Sequence, residues 1–160
     1  MKKLLLLTAV LVFVLCACGR HRAAAPAATP VESTVGSDPA SKATQAIVEK
    51  WIAAYQDRDA KGLLALYSDD VVWNECSTDP CYHEGLTELK GDVPSSYGFG
   101  NPGFKVEAQS YFVTNAGQKA VVQTLYTDPN TQSVNAPSVT VLQIKDGKIT
   151  SETWYSAAMP

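Results

Sequence analysis

An α+β domain, with helices first and a mostly antiparallel sheet after, is the fold class that this sequence predicts. Three observations carry the prediction. Apolar residues over 44–67 recur at three-to-four spacing, the period of a helix face. From residue 104 onward the chain reads as strand-length runs punctuated by Gly, Pro, Asn and Asp. Asp146-Gly147, between two of these runs, is the strongest hairpin signal in the chain. Helices segregated from strands in this way pack on one face of a curved antiparallel sheet.

The elements follow in order. Ile47, Trp51, Ile52 and Tyr55, with Glu49, Lys50 and Gln56 between them, predict an amphipathic helix over 44–57. Asp59 caps a second helix whose inner face is Leu63, Leu66 and Tyr67, ending at Ser68-Asp69-Asp70. Residues 71–75 read as a strand, and 85–90 as a short third helix. Residues 91–103 hold four glycines and two prolines around Tyr97 and Phe99, the composition of a long surface loop. Strands are predicted over 104–114, 119–127, 139–144 and 149–156.

Before this domain stand two segments of other character. Met1-Lys2-Lys3 and an apolar run from Leu4 to Leu15 form a secretory signal, too short to span a bilayer. Leu15-Cys16-Ala17-Cys18 resembles the lipobox of bacterial lipoproteins. That resemblance implies a signal peptide of residues 1–17 and lipidation of Cys18, which anchors the protein to a membrane outside the cytoplasm. An ordinary secreted protein cleaved nearby, or a single-pass anchor, is the alternative. Residues 18–43 are dominated by Ala, Pro, Thr and Ser with no apolar period, so they are expected to be a disordered tether. Its average reach would be roughly 25–30 Å. The folded domain is expected over 44–160.

Without Lys2 and Lys3, 11 of the 13 basic residues remain against 16 acidic ones, a net charge of −5. Such a chain has no electrostatic grip on nucleic acid. Cys76 and Cys81 lie five apart around Asp79-Pro80, which favours a turn. Outside the cytoplasm such a pair is most simply a disulfide closing a small loop. A metal site is the alternative, but His83 alone stands nearby as a further ligand, and no metal is expected.

Ile47-Val48-x-x-Trp51-Ile52-Ala53-Ala54-Tyr55, Arg58-Asp59, and the run from Leu63 to Trp73 together resemble the opening of the SnoaL-like branch of the NTF2-like superfamily. His83-Glu84-Gly85 is similar to an element preceding the third helix, and Asp146-Gly147-Lys148-Ile149 to the final hairpin. The resemblance implies a cone: three N-terminal helices packed against a strongly curved, mostly antiparallel sheet. It also implies a pocket at the wide end and a homodimer through the outer face of the sheet.

NTF2-like proteins include isomerases, cyclases, dehydratases and binders, so residues rather than fold must decide function. Ketosteroid isomerases use a carboxylate base with an oxyanion hole of a tyrosine and a protonated aspartic acid. Aligned without gaps, the base position falls on Glu75, the tyrosine on Trp51, and the second acid near Thr140. Thr140 cannot replace a strongly acidic donor, which argues against steroid-type chemistry. Glu75 with His83 remains the candidate catalytic pair, as a proton relay for cyclase, isomerase or hydrolase chemistry. The bland alternative is a solvated Glu75 and a His83 that caps the third helix.

Trp51, Tyr55, Trp73, Glu152 and Trp154 are the candidate ligand-binding residues, an aromatic wall for a flat apolar molecule. Core filling is the alternative for Trp73 and Trp154, and surface exposure for Glu152. Tyr67 is expected in the core. No phosphate-binding loop, dinucleotide fingerprint, zinc helix or nucleophile elbow is present, so no cofactor is expected. Binding of a small apolar ligand or an envelope protein is favoured over catalysis.

Overall fold

The first helix sets the frame for everything else. The structure, a computed structural model, describes residues 31–76, 80–95, 99–114, 116–129 and 132–156. The signal peptide, Cys18, the first half of the expected tether and Tyr97 lie outside the described residues. Helix α1 spans Pro39–Asp57 and buries Val48, Trp51, Ile52 and Ala54. It begins five residues before the expected start because Asp38 caps it, accepting a bond from Ser41 N at 2.9 Å, with Pro39 in the first turn. It ends on Arg58, whose left-handed φ of 56° lets Arg58 N and Asp59 N return to the carbonyls of Tyr55 and Ala54.

Helix α2 is shorter than its pattern suggests, spanning Ala60–Leu64. Asp59 caps it as expected, but Leu66 and Tyr67 are not helical. Tyr67 opens strand β2 (Tyr67–Glu75), where sheet pairing and burial override the helical spacing. Helix α3 covers Leu86–Ser95, so the first five residues of the expected loop are helical, with Pro94 in the last turn. The buried Leu89 and Val93, four apart, supply the packing face that the glycine and proline count obscured.

Among the described residues, seven strands form one mixed sheet. Besides β2 they are β1 (Glu32–Val35), β3 (Tyr82–Glu84), β4 (Lys105–Val113), β5 (Lys119–Asp128), β6 (Ser133–Lys145) and β7 (Lys148–Ser156). Their order is β1-β4-β5-β6-β7-β2-β3. The pairings β1–β4 and β2–β7 are parallel and the other four antiparallel. Asp146 and Gly147 both have positive φ, as the β6–β7 turn requires. Two further boundaries depart from the sequence reading. β6 begins six residues earlier than expected, and β1 falls inside the expected tether, so the folded unit starts before residue 44.

Helix α1 lies along β4 with its ends matched to the strand's. Near its start, Ser41 Oγ donates to Thr114 O at 3.1 Å and Thr44 Oγ1 to Gly117 O. Midway, Tyr111 O–H donates to Glu49 at 3.0 Å. Past its end, the Arg58 guanidinium donates to Phe104 O at 2.8 Å. Gly117 makes the close approach possible, since a Cβ there would stand 2.3 Å from the Ala40 backbone. The cone thus has one end at the β6–β7 turn, where an open pocket of about 490 Å³ is lined by Ala40, Ile47, Gly117 and Ile144, and an opposite, wide end near Tyr55, Phe104 and Lys105.

Candidate functional site

Strand alternation decides which residues enter the cone. Paired residues on neighbouring strands project to the same face, and one row crosses all seven strands: Val35, Val113, Ala120, Leu142, Glu152, Trp73 and Glu84. Six of these are buried and Val35 is half-buried. The row is apolar toward β1 and acidic toward β3. Glu84 and Glu152, exposed to only 4% and 2%, are the charged residue types among the described buried side chains, with no buried cation beside them.

Glu152 is held by aromatic donors from two elements. Trp51 Nε1 on α1 donates to its Oε2 at 2.9 Å, and the Tyr67 hydroxyl on β2 donates to the same oxygen at 2.7 Å. The Trp73 side chain, also on β2, is a third hydrogen-bond partner. Burial raises the Glu152 carboxyl above its ordinary value, and the bonds from Tyr67, Trp51 and Trp73 oppose that rise. Burial, together with the charge of Glu152, pushes the Tyr67 hydroxyl well above its ordinary range, so it stays a donor. Trp51 and Trp73 were expected on the ligand wall. Both are buried, and Trp51 spends its indole N–H on Glu152. Tyr67 fills the core as expected, and its polar tip serves the same carboxylate.

The next row toward the wide end contains Glu75, Trp154, Thr140, Val122 and Tyr111. Glu75 does share its face with Val71 and Trp73, and it is half-buried. Above it the wall is aromatic. Tyr55 packs on Trp51 at 4.6 Å between ring centroids and on Phe99 at 5.4 Å. Trp154 meets Tyr126 edge-on at 5.2 Å. Tyr55, Phe99 and Trp154 are half-buried.

His83 is not part of this wall. It pairs with Asn74, one residue out of phase with Glu75, and therefore projects from the opposite face. It is exposed, with Nδ1 2.5 Å from Asn74 Oδ1. The expected Glu75–His83 relay is thus divided by the sheet, and His83 caps no helix. Cys76 and Cys81 form the disulfide, stapling the β2–β3 connection directly after Glu75. Among the described residues no group of three or more His, Cys, Asp or Glu is placed to hold a metal ion.

Arg58 entered the sequence reading only as part of the family resemblance, with no site role. Its side chain reaches the carbonyls of Pro102 and Phe104, fastening the segment that carries Phe99 to the end of α1. The Arg58-Asp59 pair marked a helix junction, but nothing in it announced the long-range bond.

This cone of helices inside a bent sheet is the NTF2-like architecture. An NTF2-like protein of unknown function from Mesorhizobium loti superposes with a TM-score of 0.66 at 18% identity, over 80% of this chain and all of the other. A proposed ketosteroid isomerase from Kribbella flavida gives 0.60 at 18% identity, covering 74% of this chain and 81% of its own. A proposed polyketide cyclase from Xanthomonas campestris gives 0.52 at 18% identity, covering 71% and 90%. No curated protein sequence matches the chain. Residues 48–152 match the SnoaL-like domain model, and the chain belongs to that family.

Proposed function

We propose that this protein is a lipid-anchored, extracytoplasmic SnoaL-like domain that holds a small apolar molecule in the wide half of its cone, without catalysis. The observation that carries this reading is the division of the cone's polar and apolar resources. The most deeply buried carboxylate, Glu152, is committed to Trp51, Tyr67 and Trp73, while the reachable wall is Tyr55, Phe99 and Trp154. Such a wall favours flat apolar guests, oriented by the few polar groups beside it. The lipobox residues support the anchor at Cys18, and the Cys76–Cys81 bond fits an oxidising compartment.

Titration with the apolar fluorophore N-phenyl-1-naphthylamine tests this reading. Saturable binding is expected for the wild type, weakened about tenfold by Trp154→Ala, since a half-buried indole contributes roughly 1–2 kcal/mol of apolar contact. Binding that ignores Trp154 would refute the site. For the anchor, intact mass should begin at Cys18 plus acyl chains; a free amino terminus downstream of Cys18 would refute it.

One observation favours a second reading. Glu75 points into the cone beside Trp154 and Thr140, where a general base for cyclase, isomerase or hydrolase chemistry would stand. Loss of turnover in Glu75→Gln, with fold and ligand affinity kept, would establish it. The partner assigned to the outer sheet face is a second copy of the chain. Phe112, Val121 and Val141 lie in one row there, beside an open groove of about 530 Å³ lined by Leu125, Val139 and Tyr155.

A further inference from the structure

Inward rows climb the sheet from Glu152 to the wide end, and the charged residues described in them are all acids. Glu84 and Glu152 belong to the row through Trp73, and Glu75 to the next row toward the wide end. The rows beyond, through Ser138 and through Ala136, carry no charged residue. Two cations at the wide end are turned elsewhere. Arg58 gives its guanidinium to the carbonyls of Pro102 and Phe104. Lys105 is one residue out of phase with the inward pair of Val106 and Tyr126, so it projects from the outer face.

Glu75 is flanked by rings on both neighbouring strands. It pairs with Tyr82 on β3 and with Trp154 on β7, and all three side chains project to the inner face. Neighbouring strands stand about 4.8 Å apart, so the carboxylate and the two rings lie within reach of one cation. Trp154 is half-buried, with Tyr126 edge-on to it at 5.2 Å, and Tyr82 is 53% exposed. The hydrogen bond of the Tyr82 hydroxyl to Glu84, with the charges of Glu84, Asp92 and Glu88, raises that hydroxyl above its ordinary range. This corner is therefore negative as well as aromatic. The faces of such rings attract a cation, indole most strongly, and a carboxylate beside them adds a charge partner. An anion would meet Glu75 with no cation in the row to offset it.

We infer that the guest of the cone is a cationic amphiphile, an apolar body bearing an alkylammonium group, with the ammonium seated among Trp154, Glu75 and Tyr82. Its apolar body then lies toward Tyr55 and Phe99. The disulfide immediately after Glu75 pins the strand end that presents the carboxylate. This inference rests on the ligand-binding reading proposed above and adds the sign of the ligand's charge.

The test compares probes that share one ring system: (2-naphthylmethyl)trimethylammonium, 2-naphthylmethanol and 2-naphthylacetate. Each is titrated calorimetrically into the full chain at neutral pH, against a protein-free blank in the same nonionic detergent. The ammonium is expected to bind about tenfold tighter than the alcohol, and the acetate about tenfold weaker than the alcohol. Glu75→Gln, nearly isosteric, should shrink the ammonium-to-alcohol ratio about fivefold. Tyr82→Leu, at an exposed position, should shrink it about twofold, and unchanged circular dichroism confirms the fold of each variant. Equal binding of ammonium and alcohol, a preference for the acetate, or a ratio unmoved in both variants overturns the cationic class while leaving the apolar site standing. Failure of every probe to bind saturably overturns the site and this inference with it.

Discussion

Glu152 and Glu75 stand on the same inner face of the sheet, one row apart on neighbouring strands, and their surroundings make them different groups. Glu152 is buried among two indoles and a phenol that all donate to it. Glu75 lies at the half-buried end of its strand, with the disulfide immediately after it. The first is a structural acid whose removal strands its donors. The second is a polar edge on an aromatic wall. Neighbouring carboxylates on one scaffold thus differ in burial, Glu152 being buried and Glu75 half-buried.

The largest expected effect breaks the Glu152 side of this contrast. Glu152→Leu leaves Trp51 Nε1 and the Tyr67 hydroxyl buried without their acceptor, at a cost of roughly 2–5 kcal/mol. Urea denaturation measures it, and a loss below about 1 kcal/mol would mean that the network does not hold the cone.

Next comes Tyr67→Phe, which removes one donor and should cost about 1–2 kcal/mol. It sharpens the contrast through pH. The Glu152 carboxyl is raised in the fold above its ordinary value of 4.5, so the folded state favours the neutral form. That contribution is complete below the unfolded value and is lost as pH rises through the folded one. Stability should therefore decline on the alkaline side of this window. The decline should move to higher pH in Tyr67→Phe, which lacks an opposing hydrogen bond, and vanish in Glu152→Gln. A decline that persists in Glu152→Gln would assign the titration to another group.

Smallest is Glu75→Gln, expected to change apolar-probe affinity by about 1 kcal/mol or less, within tenfold, and to leave stability nearly unaltered. A stability loss comparable to that of Glu152→Leu would erase the distinction between the two glutamates.

Much of this architecture was legible in the residues. The helical face of α1, the Asp59 cap, the Asp146-Gly147 turn and the Cys76–Cys81 bond each follow from local chemistry, and the structure contains them. The failures share a cause, which is interaction across long sequence distance. Tyr67 fits a helical period, yet it is drawn into β2 by pairing with Ile149 and by its bond to Glu152. β1 sits in an Ala- and Pro-rich neighbourhood and exists because the edge of β4 accepts it. Glu152 alternates with Trp154, so its inward phase was readable, but its donors come from Trp51 and Tyr67, 101 and 85 residues away. His83 illustrates the reverse: adjacency in sequence suggested a partner for Glu75, and the one-residue phase of β3 placed it on the other face.

What occupies the wide half of the cone is read most directly from a crystal structure of the protein purified from its own host. Electron density for an apolar molecule against Tyr55, Phe99 and Trp154 is expected, with the bonds from Trp51 and Tyr67 to Glu152 intact. A cone without a guest, or a guest that takes the place of Trp51 or Tyr67 on Glu152, would contradict the proposed binding.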